Sequence, residues 1–202
     1  HEAMMRIPIL YQDADLVVVD KPAGIPTHAA DPRDPYPADA LRIVQAQTGL
    51  AYLGMHQRLD AETSGVLLFA ARREANAALA RAFEGRTAHK VYLALVHAMP
   101  PRAEGVIDRP LAREYGDRYR VTRASDPAGL AARTRYRVLT PAAAGRPAAL
   151  EIVPETGRPH QIRVHLAAIG CPVVGDPLYD PQRRPAPRRC LPAHRLTLPH
   201  PT

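Results

Sequence analysis

Three short clusters in the chain carry residue types that do chemistry. The first is His56-Gln57-Arg58-Leu59-Asp60-Ala61-Glu62-Thr63-Ser64-Gly65, a polar stretch running straight into the apolar segment 65–70. Loops poised on rigid strands are where reacting groups usually sit. Asp60 is a candidate nucleophile or general base there, with Thr63 and Ser64 to orient it or cap the turn. The plainer alternative is an aspartate that only hydrogen-bonds its own turn.

The second cluster, Thr156-Gly157-Arg158-Pro159-His160-Gln161-Ile162-Arg163-Val164-His165, sets polar donors on the opening turns of a helix whose other side is apolar. A helix N-terminus carrying Arg158, His160 and Arg163 suits a phosphate or a carboxylate. A solvated amphipathic face is the alternative. A metal fits poorly, because His160 and His165 are five residues apart with no glutamate between them. The third cluster is Lys90-Val91-Tyr92, where strand alternation puts Lys90 and Tyr92 on one face. Such a tyrosine can stack on a base or move a proton, or simply pack.

The rest of the chain bounds what these clusters can be. The 202 residues are 46% hydrophobic and 23% charged, which is globular composition and excludes wholesale disorder. No stretch approaches the ~18 uninterrupted apolar residues of a membrane span. Two cysteines, Cys171 and Cys190, build no disulfide framework and no zinc motif. A soluble, cytoplasmic protein is expected. The net charge of +7 points to a polyanionic partner such as nucleic acid. Of the 27 cations, 25 are arginine and only Lys21 and Lys90 are lysine. In so biased a chain, lysine marks places where a compact ammonium fits and a planar guanidinium does not.

The elements that must position the clusters follow from spacing. Segments 9–12 and 16–20 flank Asp13-Ala14-Asp15 as a hairpin or bent strand pair, and Lys21-Pro22-Ala23-Gly24 makes a turn. Residues 27–38 read as a loop. A helix is predicted over 40–48, with Asp39 as N-cap and Gly49 past its end. Segment 65–70 reads as a strand, and Ala75, Ala78, Leu79, Ala82 and Phe83 have helical spacing that Gly85 stops. Strands are predicted over 90–98, 134–139 and 150–153. A helix is predicted over 159–169, with Pro159 at its first position and Gly170 ending it. Segment 181–189 holds three prolines and four arginines and reads as a mobile basic loop. His1, Glu2 and Ala3 precede Met4 and are expected to be added residues. The balance is an α+β sheet protein with a few short helices.

In this order, the three clusters resemble the RluA-type family of RNA pseudouridine synthases. The family's central motif is similar to His-Arg-Leu-Asp-x-x-Thr-Ser-Gly, here HQRLDAETSG, with Asp60 in the catalytic position. LVVVDKPAG resembles the first motif, KVYLALV the strand bearing the family tyrosine, and TGRPHQIRVHLAAIGCPVVGDPLY the third motif. Gln57 displaces His56 by one residue, while Arg58, Leu59 and Asp60 keep their register with Thr63-Ser64-Gly65.

The resemblance implies an α+β fold with a mixed, mainly antiparallel central sheet, flanking short helices and a catalytic cleft. It implies one catalytic domain over 4–202, without a separate N-terminal RNA-binding domain. It also implies a reaction in which uracil is detached from its ribose, rotated, and rejoined through carbon 5. Asp60 would attack the sugar or stabilise its charge, Arg163 would keep that carboxylate ionised, and Tyr92 would stack on the base and take the C5 proton. Arg58 would fill the place of the flipped base. Lys21 and the basic region 181–195 would contact phosphates, with Thr63, Ser64, Arg158, His160 and Gln161 completing the RNA-binding set. Ile162 and Leu166 are assigned to the core. Neither cofactor nor metal is called for. The expected partner of this monomer is rRNA or tRNA, bound with a salt slope of roughly 0.7–0.9 log units per phosphate contact. A catalytically idle RNA-binding relative is the first alternative. A carboxylate-dependent glycoside hydrolase is the second, and it lacks a convincing second carboxylate beyond Glu62.

Overall fold

The computed structural model describes residues 5–29, 38–180 and 190–202. The predicted basic loop 181–189, the first four residues and part of the predicted loop 27–38 lie outside the described residues. The fold is α+β, with a mostly antiparallel central sheet and, among the described residues, three short helices. The chain forms two compact units, one of residues 1–89 with 192–202 and one of residues 90–191.

In the first unit, β1 (Ile9–Gln12) and β2 (Leu16–Lys21) form the predicted hairpin. Asp13 makes its turn, its Oδ1 accepting from the Asp15 and Leu16 backbone N–H groups at 2.8 Å each. Helix α1 (Ala40–Thr48) has the predicted caps: Asp39 accepts from the Arg42 N–H, and Gly49 is left-handed. β3 (Gly54–Met55) and β2 both pair antiparallel with β4 (Gly65–Ala70), the latter from Leu16↔Ala70 to Lys21↔Gly65. A 3₁₀ turn, Arg73–Ala75, leads into α2 (Asn76–Glu84), whose Leu79 packs against Leu16, Leu68 and Ala70.

In the second unit, β5 (His89–Val96) pairs with β10 (Ala148–Pro154), β10 with β9 (Arg133–Thr140), and β9 with β6 (Glu104–Asp108), all antiparallel. A separate hairpin joins β7 (Leu111–Tyr115) and β8 (Arg118–Val121). Helix α3 is Gln161–Ala168. Its Ile162 and Leu166 enter a core with Ala94, Ile107, Leu150, Ile152 and Val173. Its Val164 faces a second apolar cluster, with Leu111, Ala132 and Tyr179.

The predicted start of this last helix needs correction. Pro159 is not in the helix, because His160 takes a left-handed conformation (φ 53°) and the helix begins one residue later. Nor is the helix amphipathic with a solvated side: Gln161, Arg163 and His165 are buried along with the apolar positions. The final strand, β11 (Ala193–Thr197), returns to the first unit and pairs parallel with β4 at Ala193↔Gly65. Gly65 has φ 112°, and an added Cβ would lie 2.0 Å from the Ala193 carbonyl oxygen, so only glycine permits this approach.

Candidate active site

Asp60 begins a turn closed by the Thr63 N–H donating to its carbonyl at 3.0 Å. Two buried side chains fasten that turn. Thr27 Oγ1 accepts from the Leu59 N–H at 2.9 Å and donates to the Leu59 carbonyl at 3.0 Å. Lys21 Nζ donates to the carbonyls of Pro22, Ile25 and Ala61 at 2.9, 2.6 and 3.1 Å. Leu59 itself is buried, so the residue before Asp60 anchors in the core while Arg58 is exposed and Asp60 half-buried. Thr63 is buried, Ser64 is half-buried, and the Ser64 carbonyl accepts from the Ala193 N–H at 2.7 Å.

The phosphate contact expected of Lys21 is corrected by this geometry. The side chain is fully buried and its donors go to carbonyls, so it cannot reach an RNA backbone. Its task is to hold the Asp60 turn. The displaced His56 turns toward α2, with Nε2 2.8 Å from Asn76 Oδ1 and its ring stacked on Phe83. The inserted Gln57 donates from Nε2 to the Val66 carbonyl at 2.9 Å.

The other two members of the predicted catalytic set belong to the second unit. Tyr92 is half-buried on β5 opposite Ile152, on the same face as Lys90, with Val91 buried on the other. Burial pushes the Lys90 ammonium below the usual lysine range. Arg163 is buried in α3 and held side-on by Asp176, which is also buried. The Tyr179 ring centroid lies 4.8 Å from the guanidinium carbon. The Tyr179 hydroxyl accepts from the Tyr119 N–H at 2.9 Å and shares a second hydrogen bond, also 2.9 Å, with His160 Nδ1. This long-range tie pins the left-handed His160. Burial raises the Tyr179 pKa, so the hydroxyl stays neutral.

Gln161 differs from its expected substrate-binding role. Its Oε1 accepts from Thr156 Oγ1 and the Arg158 N–H, and its Nε2 donates to the Arg133 carbonyl and Thr134 Oγ1. Buried and using both ends of its amide, it acts as the internal cap that fixes the loop before α3. Arg158 remains exposed, with Nε donating to the Ala131 carbonyl at 3.0 Å. Sequence reasoning missed the supports Thr27, Asp176 and Tyr179. Asp176 and Tyr179 lie inside the quoted third motif, but no local spacing announces a partner for an arginine 13 residues upstream.

Among the described residues, Asp13, Asp15 and His200 bring ligand-type atoms within 4.8 Å of one another. Those atoms already serve the fold. Asp13 Oδ2 accepts from Tyr11 Oη and meets His200 Nε2, while Asp15 pairs with Arg72 and accepts from Thr202 Oγ1.

A family profile described as RNA pseudouridylate synthase matches residues 15–168, a span that includes Asp60, Tyr92 and Arg163. The chain belongs to the RNA pseudouridylate synthase family. Within this family it is 37% identical over 213 residues to the ribosomal large subunit pseudouridine synthase D of Nitrosomonas europaea, covering 100% of this chain and 60% of that protein. It is 36% identical over 198 residues to the dual-specificity RNA pseudouridine synthase RluA of Escherichia coli K12, covering 96% of this chain and 87% of the relative. The chain spans 58–65% of the length of four curated relatives that it matches, the Nitrosomonas protein among them. Human RNA pseudouridylate synthase domain containing 1 superposes with a TM-score of 0.82 at 26% identity, covering 99% of this chain and 81% of that one. The mostly antiparallel α+β architecture is thus shared with solved pseudouridylate synthases. Among the described residues of this family member, no helix is long and apolar enough to cross a membrane.

Proposed function

We propose that this chain isomerises uridine to pseudouridine in structured rRNA or tRNA, acting as a monomer in the cytoplasm where these RNAs are met. The observation that carries the reading is the Asp60 turn. A half-buried carboxylate is held on a loop stapled by Thr27 and Lys21, in a chain whose family matches over the same segment. Pre-organisation of this kind is what a group attacking or stabilising a sugar carbon requires.

In the reaction, the bond from C1′ to N1 breaks, the bond from C1′ to C5 forms, C5 loses its proton and N1 gains one. No electrons are exchanged with a second substrate. Asp60 serves the sugar carbon. Tyr92 stacks on uracil and accepts the C5 proton. Arg163 supplies the cation of the reaction, oriented by Asp176. Arg58, exposed beside the Asp60 turn, occupies the place of the flipped base, which costs a few kcal/mol to extrude. Thr63 and Ser64 shape the turn, and Arg158 and His160 border the RNA.

The test is release of tritium from RNA labelled at C5 of uracil, with wild type and Asp60→Ala side by side. Release by wild type alone supports the reading. Release by both removes Asp60 from its role, and salt-sensitive binding with no release assigns the chain to RNA binding without turnover.

A further inference from the structure

Lys90 is the second residue of β5 and lies on the same face as Tyr92, since residues two apart along a strand share a face. Across from it is Gly157, where an added Cβ would stand 3.5 Å from Lys90 Nζ. Gly157 has no positive φ, so its backbone conformation does not require glycine. What the missing side chain provides is room at the ammonium. The other buried cations have visible partners: Lys21 has its carbonyls and Arg163 has Asp176. Lys90 is half-buried and, among the described residues, has neither a hydrogen-bond acceptor nor an ion-pair partner.

Withdrawing an ammonium from water without an anion is costly. A ligand that brings negative charge to the half-buried ammonium offsets that cost. Lysine also suits the position better than arginine. A compact ammonium fits the gap left by Gly157, whereas a planar fork needs more width. We propose that Lys90 binds a phosphodiester oxygen of the RNA, next to the nucleotide whose base meets Tyr92. This rests on the reading of the chain as an RNA-modifying enzyme, and it adds a backbone anchor that none of the three catalytic side chains provides.

The test measures binding of bulk tRNA and rRNA by wild type, Lys90→Gln and Gly157→Val across a salt series. One lost phosphate contact lowers the slope of log affinity against log salt by about 0.7–0.9. Lys90→Gln is expected to show that decrease. Gly157→Val keeps the lysine but fills the space at its ammonium, and is expected to show it too. A wild-type slope in either folded variant overturns the proposal. Should Lys90→Gln fail to fold, Gly157→Val decides alone. Label release by wild type is scored separately, so loss of the enzymatic reading with a reduced slope is distinguishable from loss of the Lys90 contact with turnover intact.

Discussion

Arg163 and Asp176 meet side-on, Nε to Oδ2 at 2.6 Å and Nη2 to Oδ1 at 2.9 Å, both residues almost wholly out of water. The same Asp176 Oδ1 accepts from the Leu178 and Tyr179 backbone N–H groups. The carboxylate thus folds the turn after the arginine and fixes the direction in which the guanidinium points. A paired geometry of this kind restricts arginine far more than a single contact would.

Removing the charge of Asp176 takes away the paired carboxylate that orients a buried guanidinium. Asp176→Asn is expected to lose about 3–5 kcal/mol of stability, read by urea denaturation. Turnover by the folded fraction is expected to fall as well. A variant as stable as wild type would contradict the role given to this pair.

The Tyr179 hydroxyl hydrogen-bonds the non-glycine residue His160, which sits in the left-handed region. Tyr179→Phe strands the Tyr119 N–H and removes one hydrogen bond from His160. The expected cost is about 1–3 kcal/mol, with faster amide exchange at the start of α3. Unchanged exchange there would mean that His160 is held by other means.

Lys21 is buried under the Asp60 turn, so its loss is a matter of folding and not of RNA affinity. Lys21→Met leaves carbonyl acceptors without their donor and is expected to cost about 1–3 kcal/mol. The salt slope of RNA binding by the folded protein is expected to match wild type. A slope reduced by one contact would restore Lys21 to the RNA surface.

His165 gives stability a pH dependence. Burial lowers its pKa, opposed by its hydrogen bond to the Arg109 carbonyl. As pH falls below about 6.5, the unfolded chain takes up a proton that the folded imidazole refuses. Stability therefore drops through this range, by at most about 1.4 kcal/mol per pH unit from this group, until the folded-state pKa is reached. Denaturation midpoints at about pH 7.5 and 5.5 check it, and His165→Gln should flatten the difference. An equally steep decline in the variant would place the dependence elsewhere.

Local chemistry made parts of the fold legible. Helix α1 appears with both predicted caps because Asp39 and Gly49 act through neighbours in sequence. β4 has its predicted bounds because an apolar run between a polar loop and an arginine pair leaves little freedom. Asp60, Tyr92 and Arg163 were readable as chemical types and as positions in family motifs. Their supports were not: Thr27 reaches Leu59 and Tyr179 reaches Tyr119 across long separations that no periodicity encodes. The misplaced helix start has the same origin. Pro159 is a good first residue locally, but the Tyr179 hydrogen bond and the Gln161 cap settle the loop into another path.

The strand beside Gly65 is drawn from residues that follow the whole second unit in the chain. On a ribosome, β4 and the Asp60 turn emerge early, yet part of the β4 edge stays uncovered until Ala193–Thr197 has been made. Translation order therefore makes the unit bearing the reactive carboxylate wait for a strand that is synthesised about 130 residues after its own turn.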